Sequence, residues 1–251
     1  METTLIGLDL AWGERNPSGA VRLERAGGGA LTVVEQRTLG GDDELLAWLD
    51  ERCGDGPALV AVDAPLIAPN PAGTARRCDR VLSRRFARFH AGVYPANREL
   101  CARPLRLAAA LAERGWTLDP WKGRKAPWRC ALEVFPHAAA VGLLGLERIV
   151  KYKKGPVAQR RAGLAQLQEL LHARLPGIEP ALRPFARADV AALRGRALKD
   201  LEDRLDAVLC AAMAARWLER PWSCEVIGDP AAGYILVPLL DAAGGAEQAI
   251  R

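Results

Sequence analysis

The chain has 251 residues, half of them hydrophobic, enough to build one large α/β domain around a buried core. Its net charge of +5 favours a polyanion such as nucleic acid as partner, although 29 of the 35 basic residues are arginine, a bias that genome composition also produces. No apolar run reaches membrane-spanning length, and Met1 leads into a strand-like segment without the pattern of a signal peptide, so a cytoplasmic protein without a membrane partner is expected.

The first element in chain order is Thr4–Trp12, an almost unbroken apolar run that reads as a strand buried on both faces. A turn over residues 13–19 follows, then strands at Ala20–Glu24 and Leu31–Thr38 separated by Gly27, Gly28 and Gly29, which together suggest an antiparallel meander. Asp42 and Asp43 are placed to cap a helix over Leu45–Arg52, and Ala58–Val62 is a second buried strand. Residues 69–106, rich in Arg, Pro and Asn, read as a basic insertion or lid containing a short helix. Leu107–Arg114 reads as helical, and a loop bearing Trp116, Trp121, Lys122, Lys125 and Trp128 leads to a strand at Ala131–Phe135. Pro136 suits the first position of a helix over Pro136–Leu144. Helices over Val157–Arg174 and Leu201–Leu218, a strand at Tyr234–Val237 and a frayed tail over residues 241–251 complete the order. The expectation is a single domain over residues 1–240 with the tail beyond it. The six cysteines form neither a CxxC nor a zinc spacing and read as reduced, mostly buried thiols.

Three antiparallel strands, a helix, then alternating strands and helices is the element order of a ribonuclease H-like mixed sheet flanked by helices. A flavodoxin-like or Rossmann sheet fits the same pattern, because strand order is not written in the sequence.

Four acidic residues stand where apolar ones belong. Asp9 lies inside LIGLDLAW, Asp63 ends ALVAVDAPL and Glu133 lies inside CALEVF. Asp206 shares the helical stripe of Leu209, Cys210 and Met213, and Asp203 sits one turn before it. A buried carboxylate is costly unless compensated, and several together repel one another unless a cation lies between them. Oxygen ligands without Cys or His favour Mg²⁺ or Mn²⁺. Two such ions about 3.5–4 Å apart activate water and stabilise the leaving oxygen in phosphodiester hydrolysis. For each acid alone a helix cap or an arginine partner is the competing explanation.

Arg77, Arg80, Arg84 and Arg88 fall at helical spacing, with Phe86, Phe89 and Tyr94 nearby, a pattern suited to phosphates and stacked bases and equally to a solvated face. Tyr152 and Lys153 are further candidates for nucleic-acid contact, and His137, one turn after Glu133, for proton transfer.

Taken together, GLDLAWGERNPSG (7–19), AVDAPL (61–66), NPAGTARRCDRVL (70–82), LEVFPHAA (132–139), YK (152–153), LEDRLDAVLCA (201–211) and GDPAAGYILVP (228–238) resemble the domain-of-unknown-function family 429, described as predicted ribonuclease H-like nucleases. The resemblance implies a mixed sheet with Asp9 on the first strand, Glu133 on a later strand and Asp206 on the last long helix, similar to RuvC-like resolvases. The resulting expectation is a two-metal-ion nuclease in which Asp9 bridges the ions and Asp63, Glu133 and Asp206 complete the shell. An ATP-binding relative of the fold is disfavoured, because Leu10, Ala11, Trp12 and Gly13 put bulk where phosphate needs close backbone approach. A non-catalytic nucleic-acid-binding or scaffold protein is the alternative. Oligomeric state, and DNA against RNA, are not legible.

Overall fold

The computed structural model describes residues 2–122 and 129–240; Lys125, Trp128 and the tail at 241–251 lie outside them. Strands Thr4–Asp9 (β1), Ser18–Arg25 (β2), Leu31–Leu39 (β3), Ala58–Val62 (β4) and Arg129–Glu133 (β5) form one sheet in the order β3-β2-β1-β4-β5. The first three pair antiparallel; β4 and β5 join β1 in parallel. This is the ribonuclease H-like mixed sheet expected above.

Alternation along the central strands divides the core into two layers. Ile6, Leu8, Val60 and Val62 pack against Asp42–Cys53 (α1) and Ala102–Glu113 (α3). Leu5, Leu59 and Leu132 pack on the other face against Pro136–Leu144 (α4), Val157–Arg174 (α5) and Gly195–Glu219 (α6). The longest of these, α6, lies across β1 and β2 where Gly7 and Gly19 leave its backbone room. Arg77–Arg85 (α2) packs instead on a separate two-stranded hairpin, Cys224–Asp229 (β6) and Gly233–Pro238 (β7), through Cys78, Leu82, Ile227, Ile235 and Val237.

Several expected boundaries shift for local reasons. β1 stops at Asp9, because Arg103 gathers the carbonyls of Ala11, Gly13 and Asn16 at 2.8–3.0 Å and curls the chain away from the sheet. β5 spans Arg129–Glu133 rather than 131–135, since Phe135 is needed as the cap before Pro136. Gly41 caps α1, and Asp42 and Asp43 occupy its first turn, where their charge suits the helix dipole. α3 begins at Ala102 and α6 at Gly195, each earlier than its apolar stripe suggests. The expected strand at 234–237 belongs to the hairpin and meets the main sheet through a bridge between Leu236 and Val134 and through the Tyr234 hydroxyl, which donates to the Ala131 carbonyl of β5. Of the loop tryptophans, Trp116 is buried and Trp121 is exposed, with its ring against Trp217. All six cysteines are free, and five are buried.

Candidate metal centre

The strand register decides which acids meet. Odd residues of β1 and β4 face α6, so Asp9, one residue past the paired Leu8, and Asp63, one past Val62, emerge on the same side. From α6, Asp206 descends onto them, and carboxylate oxygens of Asp9, Asp63 and Asp206 lie within 4.8 Å of one another. Asp203, one turn earlier, lines a cleft together with Asp9, Trp12, Asn16, Arg196 and Lys199. Lys199 Nζ lies 2.7 Å from Asp203 Oδ1.

Glu133 does not join them. It pairs in register with Val62, whose side chain belongs to the α1 and α3 face, so the pleat turns Glu133 away from Asp9 and Asp63. There Arg76 grips it with two bonds, Nη1 to Oε2 at 2.7 Å and Nη2 to Oε1 at 2.5 Å, and the Leu66 amide donates to Oε2. Arg76 also donates to Asp79, which accepts from the Ala96 amide, and to the Ile67 carbonyl. Glu133, Arg76 and Asp79 are all buried, a closed polar network that ties the 64–76 segment to β5. The convergence expected of four carboxylates is therefore corrected to Asp9, Asp63 and Asp206, with Asp203 beside them and Glu133 paired to its own arginine.

Within the cluster one cation is the protein's own. Lys153 Nζ lies 2.7 Å from Asp206 Oδ2 and 3.8 Å from Asp63 Oδ2. The Tyr152 hydroxyl donates to Asp206 Oδ1 at 2.5 Å. Both side chains were candidates for nucleic-acid contact; Tyr152 instead is buried and Lys153 is turned inward. Gly163 of α5 keeps the segment in place, since a Cβ there would meet the Lys151 carbonyl oxygen at 2.1 Å.

Burial pushes Asp9 well above the usual carboxylate range, opposed by Lys153 and reinforced by Asp206, Asp63 and Asp203. Burial likewise pushes Asp63 up to about 6, against the pull of Lys153 and a hydrogen bond with Asp9. Lys153 resists the discharging effect of burial and stays firmly protonated beside Asp206. His137 is held down to about 4 by burial and the charge of Lys153, so its imidazole is neutral at neutral pH. Its ring stands edge-on between Phe135 and Tyr152, at 5.4 and 5.5 Å between centroids, a packing position at the border of a second cleft that Lys151, Lys153 and Lys154 also line.

The donor set fits a hard divalent cation. It consists of aspartate oxygens alone, brought together at the mouth of a cleft that Asp9 lines. Outside the cluster, Arg77, Arg80 and Arg84 of α2 and Arg88 just beyond it are all exposed. Tyr94, 67% exposed, meets Trp12 at the edge of the cleft holding Asp9, their rings 6.3 Å apart.

Sequence reasoning did not single out Arg76, Lys199 or Arg103. The two buried arginines among nine between residues 74 and 106 carry no local mark, and Lys199 shows itself only through its i,i+4 spacing to Asp203.

The model of a protein family of unknown function, DUF429, matches residues 7–232. No curated protein matches the chain. Among solved structures, the chain is similar to the yeast mitochondrial Holliday junction resolvase Ydc2, at 12% identity over 85% of this chain and 78% of that one, with a TM-score of 0.37.

Proposed function

The chain belongs to the protein family of unknown function DUF429, and we propose that it is a divalent-cation-dependent nuclease hydrolysing phosphodiester bonds of nucleic acid. The observation that carries this reading is the meeting of Asp9, Asp63 and Asp206 from three separate elements, their carboxylate oxygens within 4.8 Å of one another. Asp9, Asp63 and Asp206 would hold Mg²⁺ or Mn²⁺, with Asp203 adjacent. Such an ion supplies Lewis-acid activation of water and stabilisation of the leaving oxygen.

The chain's own residues would do the rest. Tyr152 and Lys153 fix the rotamer of Asp206. Arg103 shapes the turn carrying Trp12 against the cleft. The exposed arginines of α2 offer a track for backbone phosphates, and Tyr94 with Trp12 offers aromatic surface to a base. Glu133 serves as an anchor of the 64–76 segment, and His137 packs against Tyr152.

The test is cleavage of single-stranded, duplex, hybrid and branched substrates with Mg²⁺ or Mn²⁺, alongside Asp9→Asn. Cleavage by the wild type, lost in Asp9→Asn, is expected. Binding without cleavage on every substrate sinks the nuclease reading in favour of a nucleic-acid-binding scaffold.

A further inference from the structure

We propose that the acidic centre takes a single divalent cation, with Lys153 serving as its second positive charge; this rests on the cation-dependent reading above and replaces the two ions expected from sequence. The argument is a count of charges at short range. Four carboxylates border the centre: Asp9, Asp63, Asp203 and Asp206. Asp203 is matched by Lys199 at 2.7 Å, and Asp206 by Lys153 at 2.7 Å. Glu202, the other acid that Lys199 reaches, has its own partner in Arg160 at 3.1 Å. Asp9 and Asp63 are left without a dedicated cation, since Lys153 stands 3.8 Å from Asp63. Their joint charge is that of one divalent ion.

Ligand supply agrees with the count. The Tyr152 hydroxyl donates to Asp206 Oδ1 and the Lys153 ammonium lies 2.7 Å from Oδ2, so each Asp206 oxygen is engaged once before any ion arrives. A second divalent ion would enter a cluster with no uncompensated carboxylate left and with Lys153 in its way. At the 2.7 Å that separates the ammonium from the shared Asp206 oxygen, an ion and Lys153 would repel at short range. Lys153 is also built into its position: the flanking Tyr152 is buried, and Gly163 admits the Lys151 and Tyr152 backbone against α5. Lys153 is accordingly a positioning residue for Asp206 and a fixed charge that sets how many ions the centre holds.

The experiment counts Mn²⁺ bound per full-length chain by electron paramagnetic resonance of the free ion, with titration calorimetry as a second reading. Wild type, Lys153→Met and Lys153→Arg are compared, each checked by thermal melting. One ion in wild type and in Lys153→Arg, rising to two in Lys153→Met, is the expected result. Two ions in wild type overturn the inference and leave the proposed nuclease standing. One ion in folded Lys153→Met overturns the role of Lys153. No ion in wild type overturns the inference and the cation-dependent function together. Should Lys153→Met not fold, a Lys153→Arg chain that binds two ions overturns the proposal, and one that binds a single ion upholds the charge requirement.

Discussion

Gly7 of β1 lies directly beneath Ala207 of α6: a Cβ on the glycine would stand 2.0 Å from the Ala207 carbonyl oxygen and 2.3 Å from the Ala211 nitrogen. One turn nearer the start of the helix, a Cβ on Gly19 would stand 2.3 Å from the Asp203 carbonyl oxygen, and Gly19 is the register partner of Asp9. These absent side chains let α6 sit close enough to the sheet for Asp206 to reach Asp9 and Asp63.

Gly7→Ala is therefore expected to force α6 off the sheet. Overpacking of this kind costs about 1–3 kcal/mol, and here the obstacle is backbone, which yields less than a side chain. Chemical unfolding should show that loss, and calorimetry a weaker Mn²⁺ affinity in whatever remains folded. An unchanged unfolding midpoint with unchanged affinity contradicts the packing described.

Ion binding should strengthen as pH rises. Asp63 has an ordinary value of 3.8 and is raised to about 6 by burial, and burial raises Asp9 well above its ordinary value too. Between those values the folded, ion-free protein binds more protons than the unfolded chain. The stability contributed by this pair is thus present at low pH and declines as pH rises through the folded values. A cation must displace these protons, so the rise in melting temperature on adding Mn²⁺ should be small at about pH 5 and large at about pH 7.5. An equal rise at both ends would mean that the two aspartates are not the ligands.

Glu133 and Asp63 should respond in opposite ways. Removing one partner of a buried ion pair costs roughly 3–5 kcal/mol, so Arg76→Met should destabilise the fold by that order, and Glu133→Gln by less because its amide still accepts from Arg76. Neither change should alter the number of Mn²⁺ bound. Asp63→Asn should leave folding nearly intact and abolish tight Mn²⁺ binding. Loss of the ion in a well-folded Glu133→Gln protein would return Glu133 to the metal shell.

The exposed arginines give a prediction readable from salt dependence. Replacing Arg77, Arg80, Arg84 and Arg88 together with alanine should weaken duplex binding and flatten its salt slope by about 0.9 for each phosphate no longer neutralised, with melting unchanged. Tyr94→Ala should instead weaken single-strand binding by about 5- to 150-fold and touch duplex binding little. Identical losses on both substrates in Tyr94→Ala would remove the stacking role.

Much of the sheet could be read from residue order, because β1 and β4 are apolar runs too short for helices and three consecutive glycines separate β2 from β3. β6 escaped notice because half-buried Cys224, Glu225 and Val226 show neither a continuous apolar run nor clean alternation. For the site, Asp9, Asp63 and Asp206 stood out as charges in apolar surroundings. The face taken by Glu133 did not, since a one-residue difference in parallel register separates it from Leu132 on the α6 side, and register is a property of paired strands. Lys153 reads in the sequence as a nucleic-acid contact; only the buried Tyr152 beside it and the 2.7 Å approach to Asp206 reveal its inward direction.

The hairpin of β6 and β7 is the seat on which the arginine-bearing helix rests. Gly233 at its tip is packed against Ile67 and the side chain of Arg76, and Glu225 pairs with Arg85. Injury near residue 230 would thus be felt about 150 positions earlier in the chain, loosening the basic surface. The hairpin's other face, through Tyr234 and Leu236, joins the core layer that β1 and α6 share. Nicking the hairpin would blunt the grip on a polyanion and slacken the layer on which the aspartates stand.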